Sequence, residues 1–142
     1  MRPAAQARVL IIEHEQRRAY ELAAAMADLG VPYSVVADGA QGWKSFVNER
    51  PSFVFASLSG PDEGQGGTDF LRKLNSEYMG AMPLVFLTCT EEEIRSASSA
   101  DPAGYIVWPL AESSLRQIFR QEDDRGDTPR RQATRLRDLY EL

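Results

Sequence analysis

Glu13 and His14 stand side by side and Ser57 follows a second apolar run, so one acid, one imidazole and one hydroxyl could meet in this chain. Those residue types suit a hydrolytic site in which His14 takes the proton of Ser57 and Glu13 orients the imidazole. The same groups could equally be held by hydrogen bonds in a pocket with no chemistry of its own. A transition-metal centre through His14 and Glu13 would be short of ligands, because His14 is the sole imidazole in the chain. Cys89 is likewise single, which excludes an internal disulfide and suits a reducing compartment. The stretch from Gly60 to Gly67 is rich in glycine but lacks the lysine and the spacing of a phosphate-cradling P-loop.

Short strands must position these groups. Val9 to Ile12 is a purely aliphatic run that breaks off into Glu13, His14 and Glu15, as a strand buried on both faces of a parallel sheet would. In open parallel sheets the working crevice lies outside the carboxyl ends of the strands, which is where Glu13 and His14 fall. Phe53 to Ala56 and Leu84 to Thr88 read the same way, and Tyr33 to Val36 and Tyr105 to Val107 read as shorter strands. Between them, Ala19, Leu22, Ala23, Met26 and Leu29 recur at helical spacing before Gly30, a left-handed cap. Trp43, Phe46 and Val47 mark a second helical face that Pro51 ends, and Phe70, Leu71, Leu74 and Tyr78 mark a third. Glu91 to Ala103 has only Ile94 as a large apolar anchor, which predicts a short, weakly held helix. Trp108-Pro109 ends the last strand, and Leu115, Ile118 and Phe119 carry a final helix. Strands alternating with helices in this way predict a doubly wound α/β sandwich of three layers.

The 142 residues suffice for one domain with a sizeable core, and 43% apolar with 26% charged residues is ordinary for a soluble protein. A net charge of −5 offers no basic field, so neither nucleic acid nor an anionic membrane is expected as a partner. The apolar runs fall far short of the roughly 20 residues needed to span a bilayer, and MRPAAQAR has no apolar core of a signal peptide, so a cytoplasmic location is expected. The domain is predicted over residues 1–120, with 121–142 as a polar linker and tail. In that tail Arg130, Arg131, Arg135 and Arg137 accompany Leu136, Leu139 and Tyr140, which suits either a solvated end or a docking helix for a partner.

In this order the chain resembles the receiver domain of bacterial two-component response regulators, from residue 8 to about 120. RVLIIEHE resembles the family's opening strand with its acidic pair, VVADGAQGWKSF its second strand and helix, and PSFVFASLSGP the strand that leads to its phosphorylation loop. PLVFLT resembles the fourth strand with its hydroxyl residue, and GYIVWPL the fifth, where the family carries lysine before proline. The resemblance implies a flavodoxin-like, five-stranded parallel sheet of order 2-1-3-4-5 with helices on both faces. At the family's two acids, acceptor aspartate, hydroxyl and lysine this chain has Glu13, His14, Ser57, Thr88 and Trp108. Phosphoryl transfer to a carboxylate needs that nucleophile, a Mg²⁺ and a fixed cation, so neither phosphorylation, nor a metal, nor any cofactor is expected at this degenerate pocket.

Thr88 and Tyr105 match the family's switch pair, although both are also good strand residues. Trp108 either fills the emptied pocket or stands outward as an anchor. The function that the resemblance implies is a non-enzymatic pseudo-receiver that binds another protein: a histidine kinase, another regulator, or itself as a homodimer. Its surface would include Ile94, Tyr105, Trp108, Leu115 and Phe119. Two alternatives are control through a modification of Ser57 or a small ligand in the vacated site, and a small flavodoxin-like hydrolase using His14 and Ser57.

Overall fold

Four aliphatic residues with no polar alternation, Val9–Ile12, form β1, and all of them are buried. Such a strand needs a neighbour on each edge and a layer over each face. In the computed structural model, which describes residues 8–61, 66–95 and 101–125, with side chains as far as residue 120, both needs are met. β1 pairs in parallel with β2 (Tyr33–Val36) on one side and β3 (Phe53–Ser57) on the other. β4 (Leu84–Cys89) pairs with β3, and β5 (Gly104–Val107) with β4. The order is β2-β1-β3-β4-β5, the order the resemblance implies.

Side chains alternate across a strand, so each face of the sheet collects every second residue. Val9, Ile11, Phe53, Phe55, Phe86 and Ile106 share one face with Leu22 and Met26 of α1 (Gln16–Leu29) and with Leu115 and Ile118 of α5 (Glu112–Arg125). Leu10, Val54, Ala56, Val85, Leu87 and Tyr105 share the other. That face is covered by Phe46 of α2 (Gly39–Glu49) and by Phe70, Leu71 and Leu74 of α3 (Gly67–Glu77). Burying each large apolar side chain contributes about 1.5–3 kcal/mol, and these two cores make the sandwich.

Some element boundaries differ from the sequence reading. β3 runs on through Ser57 because β4 offers it a partner in Thr88, so Ser57 is the last residue of a strand and not the first of a loop. α4 (Glu91–Arg95) buries none of its residues, in keeping with its poor apolar content, and Thr90 and Glu93 cap it reciprocally. α5 continues to Arg125, past the predicted boundary at residue 120. The arginine-rich tail and part of the glycine-rich loop lie outside the described residues.

Two glycines carry the turns that bring helices to the sheet. Gly30 closes α1 in the left-handed region, at φ 72°, and donates its N–H to Ala27. Gly67 lets α3 begin hard against the end of β3: a Cβ there would lie 2.6 Å from the Ser57 carbonyl oxygen and 2.8 Å from the Leu87 side chain. Gly67→Ala should therefore cost about 1–3 kcal/mol in urea unfolding. Gly30→Ala, with no atom within 4 Å of its Cβ, should cost only the conformational penalty of about 1 kcal/mol. Equal losses would show that α3 can back away from the strand.

Candidate functional site

The parallel register brings the polar ends of four strands together. Ile12 pairs with Ala56, so Glu13 follows beside Ser57, and Ser57 pairs with Thr88. Glu13, Ser57, Thr88 and Trp108 all continue the parity of the α1/α5 face, whereas His14 does not. The carboxyl edge thus gathers one acid, two hydroxyls and an indole on one side of the sheet.

Glu13 is locked where β1 turns into α1. Its backbone N–H donates to Val36 at 3.0 Å, and its carboxylate Oε2 accepts from the Glu15 N–H at 3.0 Å. Glu15 in turn caps α1 by accepting from the Arg18 N–H. The Glu13 side chain is fully buried, and its Oε1 has no hydrogen-bond partner. Burial pushes its carboxyl above the usual value of 4.5, although the Glu15 N–H, His14 and Arg18 all pull the other way. Thr88 Oγ1 and Trp108 Nε1 are also buried without a partner. Each polar group buried in this way forfeits about 1–3 kcal/mol of hydration.

Trp108 is half-buried and packs against the α1/α5 core with its indole N–H buried. Its backbone N–H donates to Cys89 at 2.9 Å, and the peptide to Pro109 is cis. The guanidinium of Arg18 lies 5.3 Å from the Trp108 ring centroid, a cation–π contact. Sequence reasoning missed Arg18. It sits one turn into α1 with no motif around it, and only its contact with the Trp108 ring gives it a place at this edge. Cys89 is buried on the opposite face, and desolvation together with the Glu93 carboxylate pushes its thiol up to about 12, so it stays protonated and inert.

The hydrolytic constellation is not assembled. His14 is exposed, its Nδ1 lies 3.9 Å from Glu13 Oε2, and no hydrogen bond joins it to Ser57. The hydroxyl of Ser57 therefore has no base. By parity Thr88 belongs to the α1/α5 face, and Tyr105 is buried on the other, in the same cluster as Ile94.

The five contact residues named from the sequence differ in exposure. Leu115 is 1% exposed, and Phe119 sets its ring edge-on to Phe53 with centroids 4.9 Å apart. Tyr105 is buried, and Ile94, Trp108 and Phe119 are half-buried. An amphipathic helix spends its apolar stripe on the sheet. The opposite side of α5 is exposed and carries Glu112, Ser113, Arg116, Gln117 and Arg120.

No family model matches this chain, and no curated protein matches it by sequence. Solved structures do. The chemotaxis response regulator CheY4 of Vibrio cholerae superposes with a TM-score of 0.69 at 16% identity, over 82% of this chain and 98% of that one. The signal receiver domain of a modulated diguanylate cyclase from Desulfovibrio desulfuricans G20 gives 0.68 at 17% identity, over 90% and 97%. The receiver domain of a sensor histidine kinase from Pseudomonas aeruginosa PAO1 gives 0.68 at 18% identity, over 81% and 95%. At these identities the likeness is one of fold: the chain has the CheY-like, flavodoxin-like architecture. The Pseudomonas domain carries a magnesium ion coordinated in its active-site cleft. The side chains here do not fit that ion, which prefers an octahedral oxygen cage with carboxylates. Among the described residues Glu13 is the one acid that ends a strand on the α1/α5 side of this edge. Among the described residues no three of His, Cys, Asp and Glu are grouped to hold a metal.

The raised carboxyl of Glu13 has a sign that can be tested. The folded state holds this proton more tightly than the unfolded chain, so Glu13 costs stability as pH rises from its ordinary value of 4.5 through the raised one. Glu13→Gln, which keeps an acceptor for the Glu15 N–H, should be the more stable protein at pH 7. Its advantage should shrink toward pH 4 in paired urea titrations. An advantage independent of pH would show that Glu13 does not titrate in this window.

Proposed function

We propose that this chain is a signalling module of receiver fold, a pseudo-receiver, that works without aspartyl phosphorylation and acts by binding another protein. The observation that carries the reading is the composition of the one rung where a receiver would do its chemistry: Ser57 in place of an acceptor carboxylate, and Trp108 packed where a cation would be needed. A serine hydroxyl without a base is not a phosphoryl acceptor under these conditions, and an indole brings one donor and no charge to a developing anion. Glu13 cannot make up the difference, because it is single, fully buried and biased toward its neutral form. The reading includes no enzymatic activity and a cytoplasmic setting; no helix among the described residues is long and apolar enough to cross a membrane.

The partner is a signalling protein of the kind that receiver folds meet, a histidine kinase or another regulator, or a second copy of this chain. The surface we assign to it is the exposed side of α5 with the adjoining α4. The three unpartnered atoms of the pocket favour a second reading, in which a small polar ligand held by Thr88, Trp108 and Glu13 sets the state of that surface.

Binding of the immobilised full chain to histidine kinases and regulators of its own organism, with light scattering for self-association, tests the proposal. A complex should form equally with and without Mg²⁺ and acetyl phosphate. Arg116→Glu should weaken it roughly tenfold by placing like charge on the interface, at little cost to folding, because the Arg116–Glu112 pair is exposed. A complex that forms only with acetyl phosphate would contradict the reading. One that requires a diffusible small molecule would favour the second.

A further inference from the structure

The opposite edge of the sheet carries a cavity that nothing above uses. It lies at the amino ends of β3 and β4, holds about 360 Å³, and is walled by Phe46, Tyr78, Pro51, Met82 and Pro83, with Arg50 among its lining side chains. Its size falls at the lower end of ordinary small-molecule sites, and its lining has their character, mostly apolar with a few polar groups. The walls are held in place independently of any occupant. Phe46 and Tyr78 meet edge to face with centroids 4.8 Å apart. The strand entries beside them are tied by hydrogen bonds from Ser52 N–H to Arg8 and from Leu84 N–H to Ser52.

Arg50 gives the cavity its chemical sense. It closes α2 at φ 51°, a left-handed conformation that a non-glycine residue seldom adopts, with its backbone N–H donating to Phe46 at 2.8 Å. Among the described residues its side chain makes one polar contact, a long 3.5 Å hydrogen bond from Nε to the Val47 carbonyl of its own helix, and no ion pair. The neighbouring Glu49 carboxylate is engaged elsewhere, accepting from the Ser34 hydroxyl at 2.9 Å. A guanidinium fork beside aromatic and proline walls matches a planar anion attached to an apolar body.

We propose that this cavity binds a small amphipathic carboxylate, its apolar part between the Phe46 and Tyr78 rings and the two prolines, its carboxylate on the Arg50 guanidinium. The site is separate from the pocket of Glu13 and Thr88, so its occupancy is independent of whether the chain takes a phosphoryl group. Arg50 confers the preference for an anion, and the ring pair confers the preference for an aromatic or branched body.

The probe is 4-phenylbutyrate, titrated into the isotope-labelled full chain and followed by amide resonances, with 4-phenylbutylamine as its cationic counterpart. Saturable shifts should appear at Arg50, Ser52, Ala81 and Leu84, and the amine should bind at least roughly tenfold more weakly, since it loses a charge-assisted hydrogen bond and faces a like charge. Arg50→Asn, a residue that tolerates the left-handed backbone, should weaken phenylbutyrate by a similar factor while leaving distant resonances in place. Ala81→Trp, a substitution at an exposed wall position, should abolish binding. No saturable shift around the cavity, equal affinity for acid and amine, or unchanged affinity in Arg50→Asn would each overturn the assignment.

Discussion

The parallel register of β1, β3 and β4 governs the rest of this structure. Because Ile12 pairs with Ala56 and Ser57 with Thr88, Glu13, Ser57 and Thr88 land at the same level near the carboxyl ends of their strands, and strand alternation turns Glu13, Ser57, Thr88 and Trp108 to the same side. A slip of one residue in any of these strands would move its apolar set out of one core and into the other, so the register is enforced by two hydrophobic cores at once. The meeting of polar groups at the carboxyl edge is thus a by-product of burying Phe53, Phe55 and Phe86 on one face and Val54, Val85 and Leu87 on the other. The scaffold can lose every reacting group at that edge and still fold.

What this chain has placed there trades reactivity for packing. A cation close to a buried acid holds that acid ionised; here Trp108 packs beside the α1/α5 core, and the Arg18 guanidinium of α1 lies over the indole face. Glu13 keeps one good hydrogen bond through Oε2 and loses hydration at Oε1, so its neutral form gains. The result is an edge with an indole packed against the α1/α5 core and a Ser57 hydroxyl that the one imidazole does not hydrogen-bond.

The fold was legible because its signals are additive over many residues. Four fully apolar runs or near-runs, each followed by a helical stripe, specify an alternating sandwich without reference to any single side chain, and Gly30 and Pro51 mark helix ends for local steric reasons. The pocket was legible as a list, since Glu13, Ser57, Thr88 and Trp108 each end a strand. Its internal geometry was not. Whether His14 reaches Ser57 depends on strand parity and on the turn into α1, and the structure separates them. Whether Trp108 points inward depends on the space between α1 and β5, which also decides the role of Arg18. Leu115 and Phe119 were read as contact residues because their neighbourhood suits a partner, yet the helical period that identified α5 already committed them to the sheet.

The central claim is that the rung of Glu13, Ser57 and Thr88 takes no phosphoryl group. Intact-mass spectrometry of the full chain after incubation with acetyl phosphate and Mg²⁺ tests it most directly. The triple variant His14→Asp, Ser57→Asp, Trp108→Lys serves as the comparison in which acid, acceptor and cation are all supplied. The account predicts an unchanged mass for the native chain under conditions in which the variant gains one phosphoryl group. A stable gain of one phosphoryl group on the native chain, mapped to Ser57 or to Glu13, would contradict it.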